Sequence, residues 1–142
     1  MRAALYISVC LLLCGCLSPH QSAADSTSVL SWEQSAPAVI RFDNSDTLSP
    51  RDISIILHHD SKTAPDCVTL FISAVSPDSI CRRDTVTVHI GRNPLSNDIR
   101  PTVQTILPAT TLPEAGTYLF EIAPSEPTRG IWGAGLDFTK TK

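Results

Sequence analysis

From Val29 onward, apolar and polar residues alternate with a period of two, the pattern of strands with one buried face. In Ile53-Ser54-Ile55-Ile56-Leu57-His58, the residues Ile53, Ile55 and Leu57 share a face. In Cys67 to Ala74, the inward set is Val68, Leu70, Ile72 and Ala74, with Phe71 opposite. Asp84 to Ile90 places Val86, Val88 and Ile90 on one side and Thr85, Thr87 and His89 on the other. Thr117 to Ile122 groups Tyr118, Phe120 and Ile122. Val39 to Phe42 and Leu136 to Thr139 read as further strands, and Thr102 to Leu107 as an edge strand in an irregular stretch. Asn44-Ser45-Asp46, Ser76-Pro77-Asp78-Ser79, Pro113-Glu114-Ala115-Gly116 and Pro124-Ser125-Glu126-Pro127 supply turn chemistry between the runs. No window carries a helical stripe, so parallel crossovers are unavailable and the pairing must be mainly antiparallel. The expected fold is all-β, a single antiparallel β-sandwich of the jelly-roll or immunoglobulin-like kind. Val86, Val88, Tyr118, Phe120 and Ile122 are expected in its core.

The first residues follow another logic. Met1-Arg2 carries one positive charge, and the apolar run Ala3 to Leu13 follows. As a helix, about a dozen residues reach roughly 18 Å, short of the hydrocarbon core of about 30 Å. A short apolar run behind a basic start is the form of an export signal. Leu13-Cys14-Gly15-Cys16 then fits a lipobox: an aliphatic residue, two small ones, and the cysteine whose thiol takes the diacylglyceryl group. The expected organisation is a lipoprotein signal peptide over 1–15, a lipidated Cys16 with a flexible tether over 16–28, and the β-sandwich over 29–142. The tether reading rests on the Ser, Ala, Pro and Gln content of Leu17 to Ser28. The acyl chains on such a cysteine suffice for stable anchoring. No acidic residue lies between Cys16 and Asp25.

Composition narrows the chemistry. A formal net charge of −3 gives no electrostatic case for nucleic acid. Eleven prolines against few aromatics agree with short strands and many turns. Beyond Cys16, the cysteines left are Cys67 and Cys81, a candidate disulfide in an oxidising compartment. A tight hairpin at Ser76 to Ser79 opposes the bridge. It sets Cys81 against Ala74 and Cys67 against Val88, which separates the cysteines by about 23 Å along the ladder, whereas a disulfide needs Cα atoms within about 7 Å. A bridge requires a wider loop. His58 and His59 are adjacent in a strand and point to opposite faces; His59 could meet a metal only if His89 were its cross-strand neighbour. There is no nucleophile elbow, phosphate loop or zinc spacing. No catalytic residue, metal or cofactor is expected, and the chain reads as a non-enzyme.

Arg129-Gly130-Ile131-Trp132-Gly133-Ala134-Gly135-Leu136 sets three glycines around a tryptophan. Glycine in a strand implies a bulge or a close backbone approach. Two readings follow. Either a bulged strand packs Trp132 into the core, or Arg129, Gly130, Trp132, Gly133 and Gly135 form an exposed surface for a protein partner.

The segment Leu112-Pro113-Glu114-Ala115-Gly116-Thr117-Tyr118-Leu119-Phe120-Glu121-Ile122, followed by Gly130 to Phe138, resembles the C-terminal strands of the GldH-type gliding-motility lipoproteins of Bacteroidota. Leu70-Phe71-Ile72 with Ser76-Pro77-Asp78 and Asp84-Thr85-Val86 resembles that family's central hairpin, and Phe42 with Asp46-Thr47 its early step. The chain departs from the family between Arg92 and Leu112 and at Pro124 to Pro127. The resemblance implies a non-enzymatic envelope lipoprotein, a component or accessory of the gliding motility or type IX secretion machinery; in bacteria of this class the lack of an acidic stretch after Cys16 implies an outer-membrane protein facing the periplasm. Its implied partners are the membrane, through the lipid anchor, and other envelope lipoproteins and membrane proteins. A displayed carbohydrate-binding or other ligand-binding β-sandwich is the alternative. Sugar sites need exposed aromatic platforms, which are scarce here.

Overall fold

The structure, a computed structural model, describes residues 20–91, 93 and 95–142. Within them the strands are β1 (His20–Ser26), β2 (Ala38–Asn44), β3 (Arg51–Asp60), β4 (Cys67–Val75), β5 (Cys81–His89), β6 (Ile99–Thr110), β7 (Gly116–Pro124) and β8 (Ile131–Lys140). They form two four-stranded antiparallel sheets, ordered β1-β8-β3-β6 and β2-β7-β4-β5. Each sheet alternates strands from the two halves of the chain, the wrapping of an eight-stranded jelly roll. It is not the immunoglobulin arrangement, in which one sheet holds the first, second and fifth strands beside the fourth.

The period-two pattern builds the core directly. Ile40 and Phe42 of β2, Ile53, Ile55 and Leu57 of β3, Leu70 of β4, Tyr118, Phe120 and Ile122 of β7, and Ala134, Leu136 and Phe138 of β8 are all buried. Phe138 stacks on Phe42 at 4.0 Å between ring centroids and tilts against Phe120 at 5.5 Å. Val88 is fully buried as expected, but Val86 is only partly so. It lies where the two sheets part.

Two expectations are corrected. The segment assigned to a flexible tether contains β1, which pairs with β8 over all seven of its residues, from His20↔Thr139 to Ser26↔Gly133. The sandwich therefore includes His20–Ser26, ahead of residue 29. Ala23 and Asp25 are the half-buried positions of β1, and its stability comes from backbone ladder bonds to β8 more than from side-chain burial. The β4–β5 hairpin is also wider than a tight turn. Five residues, Ser76 to Ile80, connect Val75 to its partner Cys81, with Ser79 at a φ of 67°. The extra residue brings Leu70 opposite Val86 and Val68 opposite Val88. Apolar residues of both strands thus share one face, which a one-residue slip would have broken.

Three connections gather at one end of the sandwich and four at the other. One end holds the start of β1, the loops 45–50, 76–80 and 111–115, and the C-terminus, as the pairs His20↔Thr139, Arg51↔Lys140, Arg51↔Thr110, Asn44↔Gly116 and Val75↔Cys81 require. The far end holds the loops 27–37, 61–66, 90–98 and 125–130. Trp32 plugs that far end: it is 0% exposed, exchanges two backbone bonds with Thr128, and donates its indole N–H to the Ala36 carbonyl at 3.0 Å.

Candidate functional site

The glycine-rich segment lies on β8 at the far end, where β8 carries a bulge. His59 pairs with Ile131 and His58 with Gly133, so Trp132 has no partner on β3. A bulge re-aims the side chain it carries. Trp132 is 44% exposed, so the buried tryptophan is Trp32 and the core reading of Trp132 is overturned. Its side chain lies close enough to Asp60 to favour the ionised carboxyl. Asp60 accepts from Lys62 N at 3.0 Å, Thr63 N at 2.6 Å and Thr63 Oγ1 at 2.6 Å, the bonds of a turn that stops β3. Burial works against the Asp60 carboxylate, but the bonds from the Thr63 side chain and the two backbone amides, with Trp132 nearby, outweigh it and hold the carboxyl below its ordinary value. The result is an exposed indole near a fixed negative charge, with Arg129 exposed three residues away in the chain.

The three glycines serve the chain itself. Gly130 has φ +76°, and a Cβ there would stand 2.5 Å from Ala64 N and from Thr63 Oγ1. Its amide donates to Val29 O and its carbonyl accepts from Asp60 N. A Cβ on Gly135 would meet Ala23 O at 2.5 Å and Ala24 Cβ at 2.7 Å, and one on Gly133 would meet Asp25 O at 3.2 Å. Gly133 and Gly135 therefore admit β1, and all three glycines are buried. The expectation that they leave room for a partner's backbone is corrected: loop 61–66 and β1 occupy that room. Of the expected contact residues, Arg129 and Trp132 are exposed.

The remaining candidates are dispersed. Cys67 and Cys81 are free thiols, exposed at opposite ends of the β4–β5 ladder, Cys67 facing His89 and Cys81 facing Val75. The candidate disulfide is therefore not formed, because eight residues of strand separate the two. His59 is buried, its Nε2 2.8 Å from Thr102 Oγ1. His89 is on the other sheet, so the two imidazoles do not meet. Cys16 lies outside the described residues.

The sequence reading missed a second feature. Between β5 and β6 the sandwich gapes into a cleft of about 580 Å³. Its floor is apolar, with Ile53, Ile72, Val86, Ile106, Phe120 and Leu136 among the lining residues. Its lip is loop 111–115, held by Asn44 Nδ2 donating to Leu112 O and Glu114 O at 2.9 Å each, and by Glu114 N donating to the Tyr118 hydroxyl. One signal was present in the sequence: the inward face of β5, read backward from Val88 and Val86, continues to Asp84 and Arg82. Charges on a core-facing strand position ask for an explanation.

No family model matches the chain, and no curated protein sequence matches it. Among solved structures, the infectious bursal disease virus VP2 subviral particle aligns over 87% of this chain at 12% identity and a TM-score of 0.41. The structure of the Gt strain of that virus aligns over 87% at 15% identity and 0.39. This chain spans about a third of the length of those chains (33% and 32%).

Proposed function

We propose that this protein is a non-enzymatic envelope lipoprotein, anchored through Cys16, whose sandwich works by protein contact at the Trp132 corner. The observation that carries the reading is the bulge that turns Trp132 out of β8 while Trp32 takes the core position. An exposed indole near the Asp60 carboxylate, with an exposed arginine three residues away in the chain, has the composition of an interface hot spot. The bulge that turns it outward belongs to the β3–β8 ladder, so no backbone rearrangement is needed to present it, which lowers the entropy cost of binding. Together with the GldH-type resemblance, this supports a component or accessory of the gliding motility or type IX secretion machinery, seated in the outer membrane and facing the periplasm, with other envelope lipoproteins and membrane proteins as partners.

The test is Trp132→Ala. The substitution should cost at most about 1 kcal/mol of stability, as surface changes do, and should weaken co-purification with the envelope partner by about 2 kcal/mol or more. An unchanged yield with an unchanged melting temperature would refute the contact. Anchoring is tested separately: a palmitate analogue should label the wild type and not Cys16→Ala.

A further inference from the structure

We propose that the cleft between β5 and β6 binds a single-chain membrane amphiphile with a zwitterionic head, a lysophospholipid, with its acyl tail between the sheets and its head at Arg82 and Asp84.

Three observations carry this. The first is the cleft's own chemistry. Its volume of about 580 Å³ falls in the usual range for small-molecule sites, roughly 300–1,000 Å³. The floor offers Ile53, Ile72, Val86, Ile106 and Leu136, none of which has a side chain that could satisfy a sugar's hydroxyls. A saturated chain asks for no hydrogen bonds and suits such a slot. Val86 and Ile106 are only partly buried, so apolar surface is left for a tail to cover.

The second is the charge pattern at the mouth. Arg82 and Asp84 stand opposite Ala74 and Ile72 on the core-facing side of β5, where β4 is apolar. Among the described residues Arg82 forms no ion pair. With Arg83, Asp78 and Glu114 also lining the cleft, the mouth carries both signs. A head bearing a phosphate and an ammonium complements that mixture, whereas a purely anionic head would face three carboxylates.

The third is where the cleft opens. Ser76, Asp78, Thr111 and Glu114 place its mouth among the loops at the end where β1 starts. Cys16 precedes His20 by four residues, which at about 3.3–3.6 Å each is roughly 14 Å of chain. A lipid on Cys16 therefore brings the mouth toward the bilayer that supplies the ligand. Exposed leucines occur at both ends, Leu48 here and Leu30 and Leu95 at the far end, so the orientation rests on the proposed anchor alone. Binding itself does not require it.

The experiment uses the full chain carrying Cys16→Ala, purified without detergent, and titrates 1-palmitoyl lysophosphatidylethanolamine below its micelle threshold by calorimetry. Saturable binding of one molecule per chain is expected, with no heat from the tailless head, glycerophosphoethanolamine. Ile106→Trp and, independently, Val86→Phe should fill the slot and weaken binding by about tenfold or more. Arg82→Ala should weaken it by a few fold, with less effect on the uncharged-head ligand monopalmitoylglycerol. Absence of saturable binding, or equal binding by a slot-filling variant that melts as the wild type does, would overturn the proposal. Dimerisation that protects β5 amides from exchange without lipid would assign the cleft to a second copy and overturn it too. Failure of palmitate labelling at Cys16 would leave the titration readable and remove only the anchor.

Discussion

At the β1–β2 edge of the sandwich, the Asp25 carboxylate of one sheet accepts the Val39 amide of the other at 3.1 Å, and the Phe42–Phe138 stack leaves only a cavity of about 260 Å³, less than half the volume of the β5–β6 cleft of about 580 Å³. At the β5–β6 edge, the described side-chain bond between the two strands is Gln104 Nε2 to Thr87 O at 3.1 Å, near the far end, and beyond it the sheets stand apart. The two edges have the same topological rank, each the outermost pair of strands. They differ in their inward residues. At the tighter β1–β2 edge, the large rings Phe42 and Phe138 stack near small Ala23; at the open edge, Arg82, Asp84, Thr102 and Gln104 interrupt the apolar face. Inward charge is a known way to keep an edge strand from pairing with another chain, and here it also leaves a volume unfilled.

The comparison can be broken most severely at the tighter side. Phe138→Ala should cost about 3–5 kcal/mol, whereas Val86→Ala at the open edge should cost well under half of that, because its surroundings are already solvated. Equal losses in chemical denaturation would mean that the edges are packed alike. A smaller effect is expected from Gly135→Val. Its Cβ would press on Ala23 O and Ala24 Cβ, and overpacking of this kind costs about 1–3 kcal/mol. Faster amide exchange should appear in β1 and leave β5 unchanged. Asp25→Ala removes the bonds to Val39 N and Ser26 N and should cost about 1 kcal/mol, while the Gln104→Ala counterpart should cost less because its bond is exposed. The smallest effect is electrostatic. Asp46 sits 2.7 Å from Lys140 Nζ. The Lys140 ammonium, then the Ser49 hydroxyl and the Ser49 and Leu48 amides, hold its carboxyl far below the ordinary carboxylate value. A depressed carboxyl contributes stability that is fully present above the unfolded value of about 4 and is lost as pH falls through the folded value. The melting difference between wild type and Asp46→Asn should therefore be present at pH 7, shrink below about pH 4, and shrink also in high salt.

Strands with a clear alternation were legible because burial on one face dictates their sequence. β2, β3, β4, β5 and β7 were read within a few residues of their bounds, and Tyr118, Phe120 and Ile122 were read as core. β1 was not. His20-Gln21-Ser22-Ala23-Ala24-Asp25-Ser26 has no apolar alternation, since an edge strand lying across the glycines of β8 needs backbone bonds more than side chains. The same absence hid the role of Gly133 and Gly135, whose explanation lies more than a hundred residues earlier in the chain. For Trp132 the glycines pointed to the bulge, but its facing stayed open between core and surface because a bulge inverts facing without changing composition. The cleft was half-legible: the inward charges are in the sequence, but only the parting of β5 from β6 makes them a mouth.

The antiparallel pairing of β1 with β8 has a mechanical consequence. β1 runs from His20 inward along the sandwich, so tension applied on the chain ahead of His20 pulls along the strand axis. The ladder to β8 is then loaded in shear, with its bonds sharing the force at once instead of opening one by one from an end. Asp25, tied to β2 near the inner end of β1, extends that load to the second sheet. A body held this way yields by sliding and not by peeling, so the strand poorest in side-chain packing is placed where its backbone bonds act together.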